Sequence, residues 1–370
     1  MAAQIENEAF LTTQIITYLG NKRSLLKNIE PEIQAIATQV GKEKLVCADL
    51  FSGSGVVARM LKAHASRLVV NDLEAYALLI NSCYLTNKKD YPAEICEALR
   101  HEIITRAEKQ KLPGIITQEY APCDDEHIQK NERVFYTHEN ALLIDTYRTL
   151  IDEIVTDEPL KRFFLAPLIT EASIHVNTSG VFKGFYKDKH TGLGCFGASG
   201  KEALLRILGK IELKEPVFSN FDADVALYQQ DAVALSQELK ALDVAYLDPP
   251  YNQHPYGSNY FMLNLILKNH IDAELSKVSG IVQGWNHSDF NRRVAALSSL
   301  EAIVAALDSK FVVISYNSEG FISLNEMTAM LKKYGALKTV AIPYNTFRGS
   351  RNLQNRDKYV SEYLFVLKKS

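Results

Sequence analysis

The chain has 370 residues and a mass of 41.5 kDa, is 47% hydrophobic and 9% aromatic, and carries a formal net charge of -3. At about 150 residues per domain this exceeds a small module, and a compact chain of this size buries enough surface to fold without disulfide or metal staples. Five cysteines (Cys47, Cys83, Cys96, Cys123, Cys195) share no CxxC spacing, Met1–Gly20 lacks a leader pattern and no stretch reaches a membrane span, so we expect a cytoplasmic protein without metal or membrane partner.

In chain order, β-rich runs stand at Leu45–Phe51, Arg67–Asp72, Ala226–Asp231, Val244–Pro250, Phe311–Asn317, Lys338–Tyr344 and Glu362–Leu367. Helical patterns at Gly55–Ala65, Glu74–Leu85, Ala232–Leu239 and Leu297–Leu307 separate several of them, which predicts an α/β fold with a mostly parallel sheet. The last two runs lack a helix between them and read as an antiparallel pair joined by the Arg-rich stretch 345–359.

The interval 86–220 is far longer than a crossover helix needs, so the sequence predicts an inserted domain there, with 1–85 and 221–370 forming the main domain. Acids outnumber bases about two to one from Asp90 to Glu158, whereas 161–214 and 348–369 are basic. That asymmetry permits a basic groove on a near-neutral protein. Its candidates are Lys183, Tyr186, Lys187, Lys189 and His190 in a glycine- and aromatic-rich loop, and Arg348, Arg351 and Arg356.

Two motifs carry chemistry. In Asp49-Leu50-Phe51-Ser52-Gly53-Ser54-Gly55 a strand turns into a helix through glycines, and Asp72 ends the next strand, the spacing of a nucleoside-binding half. Gly53-x-Gly55-x-x-Ala58 also satisfies a dinucleotide fingerprint, but Asp49 ahead of the glycines would repel a pyrophosphate and attract the cationic end of S-adenosylmethionine. The second motif is Asp248-Pro249-Pro250-Tyr251 at the end of an apolar strand. The prolines stiffen the turn, so the Asp248 carboxylate and the Pro249 carbonyl can converge as acceptors on an exocyclic amine while Tyr251 offers a flat ring.

Together with Tyr18-Leu19-Gly20-Asn21-Lys22 ahead of them, these motifs resemble, in order and over nearly the whole chain, the α-group N6-adenine DNA methyltransferases, the class of Dam-like and restriction-system methylases. The resemblance implies a Rossmann-like class I methyltransferase with a seven-stranded mixed sheet, S-adenosylmethionine as cofactor and double-stranded DNA as substrate. It also implies that 86–220 recognises the target and that a cognate restriction endonuclease can accompany the chain. By the same resemblance Tyr18 and Lys22 line the cofactor pocket, Phe51 and Gly53 border the methionine moiety, Asp72 binds the ribose and Asp231 reads the cofactor's adenine amine. Rival readings are N4-cytosine, RNA or protein-glutamine methylation, and a non-catalytic DNA-binding subunit.

Overall fold

The computed structural model describes residues 5–197, 203–345 and 359–370. Each predicted run forms a strand: β1 (Leu45–Asp49), β2 (Ala65–Asn71), β3 (Asp224–Tyr228), β4 (Leu242–Leu247), β5 (Ser309–Asn317), β6 (Gly335–Asn345) and β7 (Tyr359–Lys369). They build one seven-stranded sheet in the order β3-β2-β1-β4-β5-β7-β6. β1 to β5 pair in parallel, and β7 slots antiparallel between β5 and β6. This is the Rossmann-like arrangement the motifs imply.

Before β1 lie α1 (Glu8–Thr12) and α2 (Leu26–Val40), the latter stopped by Gly41 in the left-handed region at φ 73°. α3 (Val56–His64) runs straight into β2, which starts two residues before the predicted Arg67. The reason is local: Ala65 pairs with Leu45 across a register shift, and the Ser66 hydroxyl donates to the Leu45 carbonyl at 3.2 Å. α4 (Ala75–Tyr84) follows β2.

The interval 86–220 contributes α5 (Ala93–Lys109), α6 (Ile115–Tyr120), α7 (His138–Ile154), α8 (Glu158–Ile174) and α9 (Leu204–Leu208). α8 packs on α4, and both α7 and α8 meet α12 (Phe261–Lys268), which follows the short helix α11 (Tyr256–Asn259); α10 (Ala232–Glu238) precedes β4. Arg148 on α7 donates to the Ile266 and Leu267 carbonyls at 2.9 Å each, satisfying acceptors that a helix end leaves open. One apolar core therefore runs from these helices onto the sheet, through Cys47, Val244, Tyr246 and Val313. The alternate residues Ala48, Ala245, Leu247 and Val312 face the other core with α10, α13 (Arg293–Ala306) and α14 (Leu324–Leu331), as the two-residue strand period dictates.

Candidate active site

The strand register builds the site. Asp49 ends β1 and pairs with Val70 on β2 and Tyr246 on β4, so Asp72 and Asp248 each lie two residues beyond the pairing and flank the turn that leaves β1. That places them at the carboxyl ends of parallel strands where the strand order reverses, the usual crevice for a ligand in such a sheet. A cleft of about 670 Å³ opens there, lined among others by Tyr18, Phe51, Asp72, Glu74, Asp231, Asp248, Pro250 and Tyr256. An adjoining recess is lined by Tyr18, Lys22, Asp49, Phe51 and Asp248.

Asp49 is 1% exposed, and neither of its carboxylate oxygens meets a hydrogen-bond donor among the described residues. Burial, followed by the charge of Asp248, pushes its carboxyl well above the ordinary range; the Phe51 and Ala58 amides pull the other way without closing a hydrogen bond. Asp72 braces the turn: Oδ2 accepts from the Gly53 amide at 2.7 Å and Oδ1 from the Glu74 amide at 2.9 Å, leaving each oxygen a further lone pair. Asp231, exposed at the rim, caps α10 by accepting from the Val233 and Ala234 amides.

The two glycines have packing reasons. A Cβ on Gly53, at φ +49°, would sit 2.7 Å from the Tyr18 ring; one on Gly55, at φ +75°, would sit 2.3 Å from Asn81 Oδ1. Tyr18 is itself fixed, stacked at 4.9 Å on Tyr256 and 4.8 Å on Tyr260. The backbone of Leu19 donates to Tyr260 Oη and accepts from Tyr256 Oη. The helices after Asp248 thereby hold the Tyr18–Lys22 segment and deliver Lys22 into the site.

Lys22 is almost wholly buried between two carboxylates, at 3.0 Å from Asp248 Oδ1 and 2.8 Å from Glu362 Oε1. Burial alone would lower its pKa, but Asp248 and Glu362 outweigh it and hold the ammonium well above its ordinary value. The Asp248 carboxyl is pushed up to about 6 by burial, with Lys22 opposing and Glu362 adding to the rise. Pro249 is buried and Pro250 lines the cleft. Tyr251 lies under Lys22, its ring centroid 5.8 Å from Nζ, and meets Tyr316 edge-on at 6.1 Å.

Of the basic candidates, Lys183 reaches the site's border: its Nζ is 3.4 Å from His254 Nδ1, three residues past Tyr251. Lys187, Lys189 and His190 are exposed around a turn closed by the Lys187–Gly194 bridge, and Tyr186 lines a separate cavity with Arg206. Arg348, Arg351 and Arg356 lie outside the described residues. Sequence reasoning missed Glu74, Asn286 and Glu362. Glu74 is buried in the cleft wall and accepts from Asn264 Nδ2 at 2.8 Å and Asn286 Nδ2 at 3.5 Å; burial raises its pKa to about 7. The one acid of β7, at the head of the run Glu362–Leu367, was the available signal for Glu362. Among the described residues no group of three or more His, Cys, Asp or Glu side chains could hold a metal ion, and no helix is long and apolar enough to cross a membrane.

The fold and the acid-lined crevice define a Rossmann-like α/β protein with a ligand cleft at the carboxyl ends of its parallel strands. Residues 18–330 match the D12 class N6 adenine-specific DNA methyltransferases, and the chain belongs to that family. It is 28% identical over 367 residues to the type II methyltransferase M.NlaIII of Neisseria lactamica, covering 96% of this chain and 100% of that one. It is 29% identical over 362 residues to the type II methyltransferase M.CviAII of Paramecium bursaria Chlorella virus 1, covering 95% and 98%. The type II methyltransferase M.FokI of Planomicrobium okeanokoites is 25% identical over 365 residues, and there this chain spans 52% of the relative's length.

Proposed function

We propose that the chain methylates the N6 amine of an adenine extruded from double-stranded DNA, with S-adenosylmethionine as donor and no metal. The observation that carries this reading is Asp49, a buried carboxylate that meets no hydrogen-bond donor among the described residues, beside the Asp248 turn. It fits a cationic amino acid end and disfavours a pyrophosphate, as do Asp72, Glu74 and Asp231 along the same cleft. S-adenosylmethionine supplies an electrophilic methyl on a cationic sulfonium.

Asp49 would hold the cationic end; Tyr18, Phe51 and the Gly53–Gly55 turn would shape the wall beside it; Asp72 would offer its remaining lone pairs to the ribose, and Asp231 would read the adenine amine. Lys22 borders this pocket through its ion pair with Asp248. Asp248 and the Pro249 carbonyl accept the two N–H bonds of the target amine, turning its lone pair toward the methyl, while Pro250 keeps the turn stiff and Tyr251 stacks on the extruded base. Methyl transfer from the sulfonium to the amine would leave positive charge on that nitrogen, where the Asp248 carboxylate would stabilise it. The surplus amine proton leaves through that carboxylate to water.

Extrusion costs a few kcal/mol, which contacts from the 86–220 part must offset. We assign DNA binding to Lys183, Tyr186, Lys187, Lys189 and His190, with Arg348, Arg351 and Arg356, and target recognition to 86–220. The type II relatives support a restriction–modification setting with a partner endonuclease. The test is to incubate plasmid DNA with the chain and labelled cofactor and map the modified bases. N6-methyladenine at one sequence is expected, and Asp248→Asn should lower turnover by about a thousandfold, roughly 4 kcal/mol of transition-state stabilisation, while keeping cofactor binding. N4-methylcytosine, or cofactor binding without any methylation, would overturn the assignment.

A further inference from the structure

Lys22, Asp248 and Glu362 come from the N-terminal segment, the end of β4 and the last strand. Their meeting is more specific than a plain buried ion pair. Lys22 Nζ lies between the acids, 3.0 Å from Asp248 Oδ1 and 2.8 Å from Glu362 Oε1. Glu362 is fixed in turn by neighbouring β5, where the Ser315 hydroxyl donates to Oε1 at 2.9 Å and Asn317 Nδ2 to Oε2 at 3.2 Å. The two acids differ in outlook, for the Asp248 side chain is 19% exposed at the cleft and that of Glu362 only 4%. Both Glu362 oxygens are engaged, and Lys22 reaches Asp248 at Oδ1.

We propose that Glu362 is a positioning residue for methyl transfer: it anchors the Lys22 ammonium, which occupies Oδ1 of Asp248 and leaves Oδ2 presented to the target amine. The inference rests on Asp248 being the amine's acceptor. A carboxylate's terminal torsion is broad and two-fold, so an acid at the mouth of a cleft has no fixed direction unless something holds one oxygen. A small misplacement of a reacting group costs up to about a hundredfold in rate, which gives the holding residue a kinetic role without any contact to substrate. The charge arrangement points the same way. One ammonium between two carboxylates leaves the cluster net negative, so it faces the charge that develops on the amine nitrogen with the right sign.

The test is Glu362→Gln, which keeps shape and removes charge, read beside Glu362→Asp and Lys22→Met. Expected for Glu362→Gln is a kcat lower by roughly ten- to a hundredfold, with the KM for DNA and the cofactor Kd within about twofold of wild type. Glu362→Asp should restore part of the rate. The acid limb of the rate profile gives a second readout. Asp248 is faced by Lys22 and Glu362, by Asp49 on β1, by Tyr246 on β4 and by Tyr256 on α11. Removing the Glu362 charge should move that limb to lower pH, and removing the Lys22 charge should move it to higher pH. If Glu362→Gln does not fold, Asn317→Ala removes one donor to Glu362 and should lower kcat by about threefold, a smaller step on the same scale. An unchanged kcat and limb in the folded variant, or equal shifts of one sign for Glu362→Gln and Lys22→Met, would overturn the proposal. Wild-type chain that binds cofactor but leaves adenine unmodified would instead overturn the reading of Asp248.

Discussion

Asp49→Asn should make the free protein more stable and the ligand-bound protein less so. In the free chain the carboxylate is buried, without a hydrogen-bond donor among the described residues, and close enough to Asp248 for repulsion to add to its burial cost. An unmet buried polar atom costs about 1–3 kcal/mol and a charged one more, so the neutral isostere should gain about 1–2 kcal/mol at pH 8. The folded carboxyl binds its proton more tightly than the unfolded one, so the acid's contribution is present at low pH and lost as pH rises. The variant's advantage therefore grows toward alkaline pH and disappears below about pH 4.

Two unit charges about 4 Å apart at an effective dielectric near 20 interact by roughly 4 kcal/mol, and desolvation takes part of that, so cofactor affinity should fall about 30- to 1,000-fold. Urea denaturation with and without S-adenosylmethionine, together with calorimetric titration, reads both effects. At one hundred times the wild-type Kd the ligand adds about 2.7 kcal/mol to wild type but only about 0.4 kcal/mol to a variant binding a hundredfold more weakly, so the stability order reverses. A free variant less stable than wild type, or a Kd within twofold, would refute the reasoning.

Gly55→Ala should destabilise by about 2–5 kcal/mol, the sum of a left-handed residue and overpacking against an Asn81 that is tied by donors to Ser52 Oγ and the Ala77 carbonyl; denaturant midpoints read it. Glu74→Gln should stabilise by up to about 3 kcal/mol at pH 8 and by nothing at pH 4, because a carboxyl raised to about 7 loses its contribution as pH passes that value; urea curves at the two pH values check the sign. Lys187→Ala should make DNA binding less salt-dependent, lowering the slope of log affinity against log salt by about 0.9 while leaving cofactor affinity alone; an unchanged slope in a filter-binding series would exclude a phosphate contact.

The sheet was legible because most strands contain a short apolar run, several of them separated by helices of clear period, and the register of β1 with β2 and β4 places the acids at their strand ends. Asp49, Asp72 and Asp248 were readable for that reason. The helices of 86–220 were not legible one by one: α8 is buried on nearly all sides from Phe163 to Ser173 and contains Pro167, so it offers no polar stripe and reads as interrupted. The Lys22–Glu362 contact escaped because it joins residues with no local relation, and the meaning of a charge inside an apolar strand depends on what stands opposite. Asn286 lies on a segment without helix or strand period, where a pattern has nothing to act on.

The family match stops at residue 330, before β6 and β7 begin. A fragment trimmed to that boundary would keep every recognisable motif and still strip β5 of its neighbour, baring a row of backbone donors and acceptors to any passing strand. It would also strand the Lys22 ammonium with half its counter-charge. Such a fragment is expected to clump on expression, and its silence in an assay would reflect a torn sheet edge instead of the chemistry of its motifs.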